Sequence, residues 1–297
     1  MANTLGGINL AAMADETIKF LGSEFFPVNL FSTNFTKDIA QRGESVTTRI
    51  VSSLTAQDVS SSYSSAAQDV TSTAVTTTLS NFKGHVAKFT DLEISKAGDA
   101  QWLMNHWMEP TREATMKALI DDLLALITNA NYSNKTTKAV GVFDADVVAD
   151  IAGALTTRKV SQKNRALLLD PTYYTALSKD SSVHDLSAYG NSDAIKDGVL
   201  SRVRGFNVHQ YEAIPGNSEN LKGFAVGKSS LVIAVRPVYK PEIQHVAVEN
   251  RIEPNTGLPF QFRFWYDPSG GNTYMSAGFL YGVSVGDANA LQRIVSA

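Results

Sequence analysis

The sequence predicts an α+β protein in which a long β-hairpin stands away from any core of its own, followed by one long helix and a mixed α/β region. Three observations carry that prediction. About half of the residues from Glu44 to Ser80 are Ser or Thr, yet "VTTRIV" and "TAVTTTLSNFKGHVAKF" are rich in β-branched residues that return to one side every second position. Met116, Leu119, Ile120, Leu123, Leu124 and Ile127 then recur at the spacing of one helical face. Beyond residue 140, short apolar runs alternate with capped helical patterns.

In chain order, residues 1–42 read as an arm carrying one helix, "DETIKFLGSEFF", capped by Asp15 and closed before Pro27. Residues 44–94 read as paired strands with a polar tip near Ser60 to Ala67. Two strands alone are marginal in water, so this hairpin needs a neighbouring surface. A short helix is expected before Glu109 and a longer one from Pro110 to about Asn129, with Pro110 in its first turn. "NANYSNKTTKAVGVF" reads as a loop and a domain boundary. "DADVVADIAGALTTRKV" is a helix capped by Asp144, "NRALLLD" a buried strand, and "PTYYTALSKD" a helix starting on Pro171. A short helix, a turn and a strand are expected over "DAIKDGVLSRVRGFNVHQYEAIPG", then strand, turn and helix or strand over "FAVGKSSLVIAVRP". A β-pair folds around the turn from Asp267 to Asn272.

Composition narrows the function. The 297 residues, 43% of them hydrophobic, can build a real core. A formal charge of -3 gives no broad positive field, which argues against tight binding to bare nucleic acid. The absence of cysteine removes disulfides, thiolate nucleophiles and thiolate metal sites together. The opening residues have neither a basic start nor an unbroken apolar run, and no stretch reaches the roughly 18 apolar residues of a membrane helix, so neither a secretory signal nor a membrane is expected.

No catalytic motif stands up to its own spacing rules. "GFAVGKSS" looks like a phosphate loop, but only three residues separate Gly223 from Gly227, where four are needed, and "SSLVIAVRP" is poor helix material. His85, His106, His184, His209 and His245 are scattered, without an i, i+4 pair. "DADVVAD" opens like a calcium loop but has valine, alanine and leucine where ligands and a turning glycine belong. Asp121 and Asp122 are neighbours on a helix and so point apart. No catalytic, cofactor or metal residue is expected.

The order of parts, with "DVTSTAVTTTLSNFKGHVAKFTDLEIS" running into "MEPTREATMKALIDDLLALI", then "RALLLDPTYYTALS", "DGVLSRVRGFNVHQYEAIP" and "GFAVGKSSLVIAVRP", resembles the major capsid protein of tailed double-stranded DNA bacteriophages, the Hong Kong 97-type fold. The resemblance implies an N-terminal arm at 1–42, an extended β-loop at 43–90, a peripheral domain with a spine helix at 91–140 and 239–297, and an axial α/β domain at 141–238. It implies hexamers and pentamers of the chain in an icosahedral head around double-stranded DNA, part of the virion, assembled in the host cytoplasm. A separate scaffolding protein, a portal and decoration proteins are the other expected partners. Arg42, Glu44, Arg49, Asp58, Asp69 and Lys83, on the flanks of the loop, are the candidate intersubunit contacts. The alternatives are an encapsulin-like compartment of the same fold, an α/β nucleotide-binding enzyme using the glycine turn, and a Ser/Thr-rich adhesin or tail protein.

Overall fold

The computed structural model describes residues 26–35, 41–51, 72–97, 114–184, 200, 202–239, 246–252 and 258–297. Strands dominate. β1 (Ser32–Phe35), β4 (Asn81–Thr90), β10 (Leu231–Arg236), β11 (Val246–Ile252), β12 (Pro259–Asp267) and β13 (Asn272–Val285) form one six-stranded sheet. Its order is β1-β10-β13-β12-β11, with β4 on β13. A second six-stranded sheet has the order β5-β14-β9-β6-β8-β7. Its members are β5 (Lys135–Thr137), β6 (Ala166–Leu169), β7 (Arg202–Val203), β8 (Phe206–Gln210), β9 (Leu221–Val226) and β14 (Leu291–Val295). Among the described residues β2 (Ser45–Val51) and β3 (Ser72–Thr78) pair only with each other, antiparallel, with Ser45 opposite Thr78 and Val51 opposite Ser72. The expected hairpin is present, and its tip at Ser60 to Ala67 lies outside the described residues.

The helices are α1 (Phe26–Asn29), α2 (Asp91–Ala97), α3 (residues 114–124), α4 (Ala145–Thr157), α5 (Pro171–Ser178) and α6 (Ser181–His184). α3 buries Met116, Leu119, Ile120, Leu123 and Leu124, the face expected from their spacing. Each such side chain contributes about 1.5–3 kcal/mol by leaving water. Its helical turns end at residue 124, short of the expected Asn129. The cause is polar: the Asn217 side-chain amide donates to the carbonyls of Leu124 (3.0 Å) and Ile127 (2.7 Å), and that of Asn131 to Leu126 (2.7 Å). These bonds satisfy carbonyls that a continuing helix would have used. The expected start at Pro110, the short helix before Glu109, the Asp15 helix and the helix over residues 193–199 lie outside the described residues.

α4 starts after its expected cap Asp144 and α5 on the expected Pro171, and both are capped by an aspartate. Asp144 Oδ1 accepts from Val147 N at 2.9 Å, and Asp170 Oδ1 from Thr172 N at 2.9 Å. The Gly223 to Pro237 stretch settles as strand, turn, strand. α2 replaces the end of the expected paired strands, which reach Ile94 in the sequence pattern. It begins on a capping box, in which Thr90 Oγ1 accepts from Glu93 N (3.3 Å) while Glu93 Oε2 accepts from Thr90 N (2.8 Å).

Two hydrophobic clusters share the second sheet. Ala166 and Leu168 of β6 face the cluster that holds α3 and the first sheet, whereas Leu167 and Leu169 face the one that holds α4 and α5. On β9, Phe224 and Val226 face the first cluster and Ala225 the second. Burial on both faces explains why "ALLL" reads as an unbroken apolar run. The segment expected to be arm also contributes to the first cluster, because Val28 and Phe31 are fully buried there and β1 pairs parallel with β10. The last strand, β14, belongs to the second sheet, between β5 and β9.

Candidate functional site

The feature that most demands a partner is the β2–β3 hairpin, and the geometry at its root shows how it is held. Arg42 Nε donates to Ser80 O at 2.7 Å, Gly43 N to Leu79 O at 2.8 Å and Leu79 N to Glu44 O at 2.8 Å. Leu79 is fully buried with Ala234 and Leu280, an apolar pin through the root. Thr77 Oγ1 meets Ser284 Oγ at 2.5 Å, tying β3 to β13. Gly282 allows that approach, since a Cβ there would run into the Thr78 carbonyl oxygen. Beyond the root, β3 passes through Leu79 and Ser80 straight into β4, which pairs with β13 from Asn81 opposite Tyr281 to Thr90 opposite Asn272.

A polar knot locks β4 to α3. Asp122 Oδ2 accepts from Lys83 Nζ (2.6 Å), Asn81 Nδ2 (3.2 Å) and the Tyr281 hydroxyl (2.6 Å). Burial first, and then the hydrogen bond to Asp122, push the Tyr281 phenol well above its ordinary value, so it stays a proton donor. Sequence reasoning rejected Asp121 and Asp122 as a catalytic pair, and the structure separates them: Asp121 faces Lys117 at 3.9 Å across an exposed helical turn. The role of Asp122 was missed because its partners lie 39, 41 and 159 residues away.

The same strand carries an apolar outer face. Phe82 and Val86 are 45% and 52% exposed, while Ala87 and Phe89 on the opposite face pack toward α3. A hollow of about 330 Å³ opens between β4 and α3, lined in part by Phe82, His85, Ala114 and Ala118.

Of the six candidate contact residues, Arg42, Glu44 and Arg49 are exposed on the hairpin flank. Asp58 and Asp69 lie outside the described residues. Lys83 is engaged by Asp122 of its own chain. The glycine turn offers little to a phosphate: Gly227 N donates to Ala290 O (2.8 Å), Ser230 N to Gly227 O (3.1 Å), and Ser230 O accepts from the Tyr132 hydroxyl (2.6 Å). No helix follows it. Among the described residues no group of three or more His, Asp or Glu could hold a metal ion, and no helix is long and apolar enough to cross a membrane.

No protein-family model and no curated protein matches the chain. Solved structures do. The capsid of cyanophage P-SCSP1u aligns with a TM-score of 0.59 at 13% identity, over 90% of this chain and 86% of that one. The chain has the phage capsid fold. The mature capsid of bacteriophage PhiM1 aligns at a TM-score of 0.58 and 12% identity, over 90% and 86% of the two chains. The acid-stable capsid of Helicobacter pylori bacteriophage KHP30 gives 0.55 and 12%, over 89% and 87%. At such identities the likeness is one of fold. It agrees with the Hong Kong 97-type architecture expected from the order of parts.

Proposed function

We propose that this chain is a major capsid protein that assembles with copies of itself into hexamers and pentamers of an icosahedral phage head enclosing double-stranded DNA. The observation that carries the reading is the β2–β3 hairpin: among the described residues its two strands pair only with each other, and only its root touches β13, on a chain with the capsid fold. A two-stranded ribbon gains stability by lying on another surface, and in a shell that surface is the adjacent subunit.

In this reading, 43–90 is the extended loop, 91–140 with 239–297 most of the peripheral domain and 141–238 most of the axial domain, with β10 joining the first sheet and β14 the second; 1–42 is the arm, anchored on its own subunit by Val28, Phe31 and β1. Arg42, Glu44 and Arg49, with Asp58 and Asp69, form pairs across the subunit boundary, while Lys83 holds the loop root. Exposed pairs of this kind contribute only about 0–1 kcal/mol each, so closure depends on many of them together. The role is structural rather than catalytic, which fits a glycine turn whose Gly227 and Ser230 N–H groups are bonded within the chain and which no helix follows. Scaffolding, portal and decoration proteins are its further partners, and the virion its location.

Electron microscopy and sedimentation of the purified chain, alone and with its scaffold, test the proposal. Closed particles or rings of five and six are expected. A monomer under both conditions would overturn it.

A further inference from the structure

We propose that one end of the second sheet, where α4 meets the β7–β8 hairpin, is an anion site that receives a carboxylate from a second copy of this chain. The inference rests on the capsid reading above, which supplies the second copy. A cavity of about 230 Å³ lies there, lined in part by Thr156, Gln162, Arg165, Arg202, Arg204 and Gly205. Arg165 forms its wall and is only 4% exposed. Its donors are spent on Ser161 O (3.0 Å), Ala152 O (3.1 Å), Thr156 Oγ1 (3.1 Å) and Val160 O (2.6 Å), all neutral groups. No carboxylate of the described residues pairs with it. A buried guanidinium without a counter-ion is costly, and it leaves the cavity positive.

Backbone conformation points the same way. The β7–β8 loop has two residues, Arg204 (φ 46°) and Gly205 (φ 90°), both left-handed, in the hairpin turn that usually carries Asn-Gly. At the other side of the cavity α4 ends in a Schellman motif, with Val160 N bonded to Leu155 O (3.1 Å) and Lys159 N to Thr156 O (2.9 Å). The left-handed residue of that motif is commonly glycine and here is Lys159 (φ 61°). The turn it stands on is the one gripped by Arg165. Two cations thus occupy positions where glycine would relieve strain; Arg204 lines the cavity, and Lys159 stands on the turn that Arg165 grips. Arg202 adds a third, exposed and without an ion pair among the described residues. Among the described residues two acids oppose Arg204: Asp146, 3.5 Å from it on a side chain 90% exposed and therefore weak, and Asp180, which already spends its oxygens on the N–H groups of Ala145 and Ser182 and feels Arg204 only as its smallest influence.

Size and charge favour a carboxylate on a protein over the phosphates of DNA. The cavity admits one side chain, whereas a duplex is held by several phosphate contacts along its length. The chain has 29 acids against 26 bases, so its own copies carry acids to spare. An acid of one copy entering the cavity of the next is a head-to-tail contact, the kind that closes a ring.

Arg204→Gly separates the readings, because it removes both the strain and the cation. The dissociated variant should melt about 2 °C higher than the wild type, in keeping with relief of a left-handed residue. Its critical concentration for assembly, read by light scattering and sedimentation, should rise about tenfold, and Arg202→Glu with Arg204→Glu should abolish particles while the subunit stays folded. Unchanged assembly of both variants would overturn the proposal. Normal particles that retain less DNA would also overturn it, in favour of phosphate. A wild-type chain that never assembles, even with scaffold, would instead remove the capsid reading, and the second copy with it.

Discussion

Tyr281 on β13 and Asp122 on α3 lie 2.6 Å apart, hydroxyl to carboxylate, and the same carboxylate oxygen takes the ammonium of Lys83 from β4 at 2.6 Å. One acid therefore joins three elements at the point where the hairpin enters the sheet. Tyr281 is fully buried, and losing this acceptor leaves its hydroxyl only the longer bond to Ala118 O at 3.4 Å.

Asp122→Ala should destabilise the dissociated subunit by about 2–3 kcal/mol, and Asp122→Asn, which keeps an acceptor, by about 1 kcal/mol. Urea unfolding measures both. Lys83→Met should cost under about 1 kcal/mol because that pair is partly solvated. Its effect should shrink further once Asp122 is gone, and strictly additive losses would mean that the three groups do not act together.

Gly282→Ala is expected to leave the sheets folded and displace the hairpin root. The added Cβ meets the Thr78 carbonyl, and relieving that clash must break the Thr77 to Ser284 contact. A cost of about 1–3 kcal/mol is expected, with faster proteolysis between residues 43 and 80 and impaired assembly. A variant cleaved at the wild-type rate would show that the root is not held by that approach.

Arg293→Met tests the most completely buried charge among the described residues. Arg293 is fully buried, donating from Nε to Tyr132 O (2.6 Å) and from Nη2 to Asn129 Oδ1 (2.7 Å), with its Nη1 paired to Glu219. Removing it should cost about 3–5 kcal/mol, since Glu219 is left beside the core unpaired. Arg293→Met with Glu219→Gln should recover part of that loss in thermal unfolding.

Acid should weaken the subunit through Asp170 and Asp180. Burial pushes both carboxyls up, but Thr172 and Lys222 around Asp170, and the N–H groups of Ala145 and Ser182 around Asp180, outweigh it and hold both below the ordinary value of 3.8. A depressed folded pKa means that the unfolded chain binds protons first. The stabilisation is therefore full above about pH 4 and lost as pH falls through 3.8 toward the folded values. Asp170→Asn and Asp180→Asn should lower the melting temperature at neutral pH and flatten its decline in acid.

Much of the fold was legible because its causes are local. Asp144 announces α4 as its cap and Pro171 announces α5 as its first residue, the period of Met116 to Ile127 announces α3, and the β-branched run announces the hairpin. The Thr90 to Glu93 box is equally local but is masked by the run of strand formers that precedes it. The site at the hairpin root was not legible. The bonds of Asp122 and Ser284 reach across 39 to 207 residues, and no spacing rule connects such positions. The pairing of β1 with β10 and the insertion of β14 between β5 and β9 were hidden for the same reason.

Because alternate residues of β6 and β9 feed two different cores, neither core can melt without uncovering the other. The chain should absorb heat in a single calorimetric transition in spite of its two sheets. The amides of Leu167, Leu168 and Phe224 should then exchange with deuterium only through global opening, while those of β2 and β3 exchange through fraying that leaves the rest intact. A subunit built in this way can release and re-lay its ribbon many times while searching for a neighbour, without risking its own fold.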